Sequence, residues 1–168
     1  NTFTGFTDVR GVAVDGNTLY VVNGTPGAGV GTVSVVDATT GAPIDTIADP
    51  AFEALVGVAI QGTTLYVTNS VLDIPPGASK MWVVDTTTPG GSITNTVTGF
   101  HFAYGVALHD TTAFVANNNL PPSVSVVDSV TPGGTFLDTV VMPVSNVQGV
   151  AADTAGTTLY VDAAGGKV

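Results

Sequence analysis

Few side chains in this sequence can act as nucleophiles, metal ligands or proton donors. There is no Cys, which excludes thiolate nucleophiles, thiolate metal sites and disulfides. The two histidines, His101 and His109, each lack a second ligand at metal-site spacing, so they read as surface or loop-packing residues and no metal is expected. Asp37, Asp85 and Asp128 recur after paired valines and before turns rich in Ser or Thr that end on Gly. An aspartate so placed accepts hydrogen bonds from the backbone of its own turn, and no stretch gathers the several oxygens of a calcium loop. The run Gly27-Ala28-Gly29-Val30-Gly31 lacks both the Gly-Lys-Ser/Thr ending and the following helix of a phosphate loop. No Gly-x-Ser-x-Gly elbow occurs either. No catalytic residue and no cofactor is assigned on these grounds.

The elements that carry these residues repeat. Gly11 to Asn23 reads GVAVDGNTLYVVN, Gly57 to Asn69 GVAIQGTTLYVTN, Gly105 to Asn117 GVALHDTTAFVAN, and Gly149 to Asp162 GVAADTAGTTLYVD. Each is a β-hairpin: an apolar run, a tight polar turn, a second apolar run. The opening glycines stand at 11, 57, 105 and 149, so successive repeats measure 46, 48 and 44 residues, the length of a propeller blade. A third strand follows at Thr32 to Asp37, Lys80 to Asp85 and Ser123 to Asp128, and a fourth at Ile44 to Ile47, Thr94 to Val97 and Leu137 to Val140. With the four strands of each unit lettered A to D in chain order, Asn1-Thr2-Phe3-Thr4-Gly5-Phe6 repeats Asn95-Thr96-Val97-Thr98-Gly99-Phe100, so the chain is expected to open on a strand D. The predicted fold is all-β: a β-propeller of four-stranded antiparallel blades, three complete and a fourth split and incomplete. The units are 1–10 (outer D strand and connection), 11–56, 57–104, 105–148 and 149–168 (partial blade). Composition agrees, with 21 Gly, 10 Pro and 10% charged residues; only Ala51-Phe52-Glu53-Ala54-Leu55 reads as a single helical turn. Tyr20, Tyr66, Phe114 and Tyr160 share one position of the second strand and are expected in the core.

Tyr66-Val67-Thr68-Asn69 spells the motif of the YVTN β-propeller repeats, with variants Tyr20-Val21-Val22-Asn23, Phe114-Val115-Ala116-Asn117 and Tyr160-Val161-Asp162. The chain resembles that family over nearly its whole length. The resemblance implies a fold more than an activity, since such propellers include surface-layer and adhesive domains, periplasmic binding modules and enzyme subunits. They commonly close rings of about seven blades.

Thirteen acids against three bases give a formal charge of −10, which excludes nucleic acid as a partner. In a propeller, the D-to-A and B-to-C connections share one face. Arg10, Lys80 and Lys167 all fall there, whereas Asp15, Asp37, Asp85, Asp110, Asp128 and Asp153 fall on the other. The B-to-C loops also vary most, and variable loops on a rigid scaffold carry binding. The binding residues expected on this face are Arg10, Glu53, Lys80, His101, Tyr104, Asn118, Gln148 and Lys167. The reading is a non-enzymatic, exported module for protein or ligand binding, adhesion or surface assembly; the alternative is a fragment of a propeller enzyme, lactonase-like or quinoprotein dehydrogenase-like. Identical copies or another protein are the expected partners.

No apolar run approaches the roughly 18 residues of a membrane span. Few lysines and Ser/Thr-rich turns point to an extracellular, cell-surface or periplasmic location, and Asn23-Gly24-Thr25 fits the N-glycosylation pattern. Strand C of the split blade is largely missing, so the chain is expected to belong to a longer propeller or to be completed by strand exchange between copies, including head-to-tail filaments.

Overall fold

A computed structural model describes residues 2–24, 30–71 and 76–163. Alternating Val, Thr and aromatic residues form antiparallel ladders joined by tight turns. The first sheet is β1 (Val9–Asp15), β2 (Thr18–Asn23), β3 (Val30–Asp37) and β4 (Pro43–Glu53), hydrogen-bonded in that order. The second is β5 (Leu55–Gln61), β6 (Thr64–Asn69), β7 (Ser79–Asp85) and β8 (Ser92–Phe100). The third is β9 (Ala103–His109), β10 (Thr112–Asn117), β11 (Ser123–Asp128) and β12 (Thr135–Val141), and the hairpin β13 (Val147–Ala152) with β14 (Leu159–Ala163) begins a fourth. Every inner strand starts two residues before the glycine that marks the repeat. Among the described residues no helix is long and apolar enough to cross a membrane.

Sheets bury their faces against one another. Val22, Val33 and Ile47 of the first meet Val58, Leu65, Val67 and Trp82 of the second. Met81, Val83 and Val97 meet Val106, Val115 and Val127 of the third, and Phe114, Ala116 and Val124 meet Val147 and Val150 of the hairpin. The inner strands touch backbone to backbone, which only glycine permits. A β-carbon at Gly11 would lie 2.6 Å from the Val56 carbonyl oxygen, one at Gly105 2.7 Å from that of Gln148, and one at Gly57 closer still to that of Tyr104. At Gly149 only Asp162 of its own hairpin comes within 4 Å. Among the described residues no such contact joins β13 to β1, and the described blades follow one another as an arc.

Three expectations change. Ala51 to Glu53 continue β4 instead of forming a helical turn, because Phe52 is buried against Trp82, ring centroids 5.3 Å apart. Residues 2–6 form no ladder, since a D strand exists only against a C strand and none is paired with them among the described residues. Their placement still follows the repeat: Phe3 lies on Gly41 as Val97, the matching residue of β8, lies on Gly134. Tyr160 is 55% exposed, where Tyr66 is 5%, because the face that holds the tyrosine is covered by the next blade and, among the described residues, no blade packs on β14.

Candidate functional site

The residue before each inner-strand glycine is Arg10, Val56, Tyr104 or Gln148, one from each blade at one level. With the glycines and the valines that follow them they line a cavity of about 480 Å³ between the inner strands. Sequence reasoning picked Arg10, Tyr104 and Gln148 and missed Val56, which its place before Gly57 would have revealed.

The backbone holds this rim by a repeated device. Asp8, Ala54 and Phe102, three residues before the glycines, adopt left-handed φ values of 47°, 46° and 49°, a region that side chains disfavour. Their carbonyls accept from the N–H groups of Gly24, Ser70 and Asn118 at 3.0, 3.1 and 3.1 Å, so each D-to-A turn is tied to the end of strand B. Asn118 serves here through its main chain.

The expected positive patch is neutralised locally. Arg10 donates through Nε and Nη2 to Asp8 Oδ2 at 3.1 and 3.0 Å. Lys80 Nζ sits 3.5 Å from Glu53 Oε1 and 5.9 Å from the centroid of the Trp82 ring. Lys167 lies outside the described residues. His101 is not on the inner-strand rim; it lines a second cleft with Asn117, Ser123 and Phe136. The structure thus brings together Arg10, Tyr104 and Gln148, and separately Glu53 with Lys80.

Asn23, the glycosylation candidate, is 8% exposed. Its Nδ2 donates to Ser34 Oγ at 2.9 Å and Thr32 Oγ1 at 3.2 Å, and its Oδ1 accepts from Thr7 N at 3.3 Å. The atom a glycan would occupy is engaged inside the fold. Asn117 repeats the pattern with Ser125, Ser123 and His101 N. The Asn of the motif is thus structural, pinning strand C and the D-to-A turn to the end of strand B.

On the opposite face the aspartates cap their turns. Asp37 accepts from the N–H groups of Thr40 and Thr39 at 2.7 and 2.9 Å, Asp85 from Thr87 N and Oγ1 at 2.9 Å each, and Asp128 from Thr131 Oγ1 at 2.7 Å and Val130 N at 3.1 Å. These bonds hold each carboxyl below the usual carboxylate range, with the Thr40 amide leading for Asp37, the Thr87 amide for Asp85 and the Thr131 hydroxyl for Asp128. Among the described residues no three His, Cys, Asp or Glu side chains converge as a metal site needs.

Strand D supplies a link that sequence reasoning missed. Asp45 Oδ2 accepts from Gly90 N of the next blade at 2.8 Å, and Asn95 Oδ1 from Gly133 N at 2.8 Å. The signal was present in the recurrence of Asp or Asn before Thr at positions 45, 95 and 138.

No family model matches the sequence, and no curated protein matches it. Solved structures do. At 19% identity and a TM-score of 0.74, 97% of the chain superposes on 48% of a chain in a crystal structure of the mitotic checkpoint complex. The β-propeller domain of Cps50 (Swd1) from Myceliophteria thermophila matches at 16% identity and TM-score 0.68, over 96% of this chain and 50% of that one. A chain of a nidogen/laminin complex matches at 17% and 0.68, over 93% and 57%. The chain folds as a β-propeller. It spans about half the length of these propeller chains.

Proposed function

We propose that this chain is a non-catalytic, exported β-propeller module of the YVTN type that binds a protein partner through its loop face, identical copies being the partner of first choice. The observation that carries this reading is the inner-strand rim. At a position where the scaffold repeats, the side chains differ (Arg10, Val56, Tyr104, Gln148), and they surround a cavity of about 480 Å³. A repeated backbone that presents unlike side chains from several blades suits recognition. Two of the propeller neighbours come from complexes, the mitotic checkpoint complex and the nidogen/laminin complex, which supports a binding role by analogy. Support for identical copies comes from apolar surface beside the rim: Val12, which lines the same cavity, is 55% exposed, against 8% for Val58, its counterpart in the next blade.

Sedimentation velocity over a concentration series tests this reading, with identical copies as the probe. Arg10→Glu with Lys80→Glu is expected to weaken self-association about tenfold, the effect of roughly 1.4 kcal/mol, while Asp37→Asn with Asp85→Asn and Asp128→Asn leaves it unchanged. The reverse ranking would put the partner on the opposite face, and a strictly monomeric chain would remove identical copies as the partner.

A further inference from the structure

The junction of the first two blades and that of the second and third differ at one position of the third strand, and the difference is informative. Three residues before the turn aspartate Asp85 stands Trp82, which pairs with Val67 across the sheet. It is 1% exposed and fills the junction between the first two blades, tilted against Phe52. Three residues before Asp128, paired with Val115, the same position holds Ser125, as it holds Ser34 in the first blade. Two residues earlier, Lys80 is likewise replaced by Ser123. An indole and a butylammonium chain give way to two hydroxymethyl groups, and the facing wall does not move in to fill the space. On that wall is Gly99, where a β-carbon would touch only the Phe136 ring, at 3.6 Å. The outcome is a cleft of about 350 Å³ between the second and third blades, floored by Asn117, Ser123 and Ser125 and walled by Gly99, Phe136 and Asn119.

Its chemistry is specific. Asn117, Ser123 and Ser125 are 2%, 7% and 5% exposed. Asn117 Nδ2 donates to Ser125 Oγ at 2.8 Å and Ser123 Oγ at 3.4 Å, so both serine oxygens act as acceptors there and keep their own protons to donate. Asn119 Oδ1 is buried and has no hydrogen-bond partner. Thr139 adds a further hydroxyl to the lining. The apolar wall is Phe136, 43% exposed and held by Phe100 at 5.2 Å. Among the described residues no Asp, Glu, Lys or Arg lines the cleft, and its one titratable side chain is His101. A cationic ligand would therefore be desolvated without a counter-charge, an anionic one would meet only the His101 imidazole, and a purely apolar one would seal the serine hydroxyls away from water and leave the buried Asn119 carbonyl without a partner. A neutral molecule with one C–H face and a rim of hydroxyls answers both conditions, and the volume suits one or two sugar rings.

We propose that this cleft is a binding site for a neutral pyranose sugar, stacked by its C–H face on Phe136 and hydrogen-bonded to Ser123, Ser125 and Asn119. The site is separate from the inner-strand rim and does not depend on it.

The test is saturation-transfer NMR and calorimetry on the full 168-residue chain, with glucose, galactose, mannose and N-acetylglucosamine as neutral probes and glucuronate and indole as controls. At least one neutral sugar is expected to bind with millimolar affinity, with the strongest saturation on the ring protons of one face. Phe136→Ala and Asn119→Leu should each weaken binding at least tenfold, and Ser125→Trp, which restores the filling found at Trp82, should abolish it. Because Ser125→Trp risks misfolding, Ser125→Ala is measured beside it and should lose several-fold in affinity with an unchanged circular dichroism spectrum. Arg10→Glu should leave sugar binding unaltered. Binding of none of the neutral sugars, binding indifferent to the Phe136, Asn119 and Ser125 variants, or equal or tighter binding of indole or glucuronate would each overturn the proposal.

Discussion

Among the inner-strand glycines a β-carbon would meet the neighbouring backbone most closely at Gly57, so a methyl group there tests the packing of the whole arc. The added β-carbon would lie 2.5 Å from Thr68 Oγ1 and 3.1 Å from the Tyr104 carbonyl carbon, with the carbonyl oxygen nearer still. That oxygen accepts the Thr68 hydroxyl, whose own oxygen accepts from Gly57 N at 3.1 Å. Gly57→Ala must therefore push β5 from β9 and break the Thr68 bond. Overpacking costs about 1–3 kcal/mol and the lost hydrogen bond about 1 kcal/mol, so the expected loss is about 2–4 kcal/mol. In a chain of this size that lowers Tm by roughly 5–15 °C. Gly149→Ala is the control: its β-carbon would meet only the Asp162 side chain of its own hairpin, Cβ at 3.1 Å and Oδ2 at 3.8 Å, and should cost under about 1 kcal/mol. Urea unfolding followed by fluorescence of the single tryptophan, Trp82, buried between the first two blades, measures both. Equal losses for the two variants would refute the claim that inner strands meet backbone to backbone at glycine.

The motif asparagines offer a second comparison. Asn117→Ala removes donation to Val115 O, Ser123 and Ser125 and acceptance from His101 N, so it should cost about 2–3 kcal/mol. Asn69→Ala should cost less in the same urea titration, because Asn69 accepts from Lys80 N while its Nδ2 has no partner; equal costs would refute the pinning role. Acid stability is the other readout. Asp37, Asp85, Asp128 and Asp153 have folded pKa values below the ordinary 3.8, so the folded chain binds protons less readily than the unfolded one. Their contribution is complete above pH 3.8 and is lost as pH falls below it through the depressed folded values. Thermal melts should lose stability in that window, and Asp37→Asn with Asp85→Asn and Asp128→Asn should flatten the loss.

What the sequence reveals is what repeats. The glycines at 11, 57, 105 and 149 mark the inner strands because a backbone contact recurs at three of them, and Asp37, Asp85 and Asp128 announce turn caps because their surroundings recur. What escaped depends on contacts between repeats that no single repeat contains. Tyr160 reads as core by position, yet its cover is the next blade. Arg10 and Lys80 read as a positive patch, yet Asp8 and Glu53 reach them only once the D-to-A turns are folded. Phe52 looks like part of a helical turn until Trp82, thirty residues on, draws it into β4.

The same distinction bears on where function sits in this molecule. Where residues agree among blades they serve the scaffold: Asn23 and Asn117 through hydroxyl partners, Asp45 and Asn95 through the following turn, and Gly11, Gly57 and Gly105 against a neighbouring carbonyl. None of these is left to meet a ligand. Freedom to recognise something lies where blades disagree while the backbone does not, because there a side chain can change without disturbing a repeated contact. Two places qualify. One is the inner-strand rim, where Arg10, Val56, Tyr104 and Gln148 share a position. The other is the junction position held by Trp82 in one blade and Ser125 in the next, where the exchange opens about 350 Å³. The second case carries a directional consequence. Filling the cleft should raise stability as it removes binding, because an apolar ring would bury surface that the cleft leaves uncovered; a Ser125→Phe variant that folds yet melts no higher than the parent would show that the cleft is already packed and that the difference between the two junctions is only one of composition.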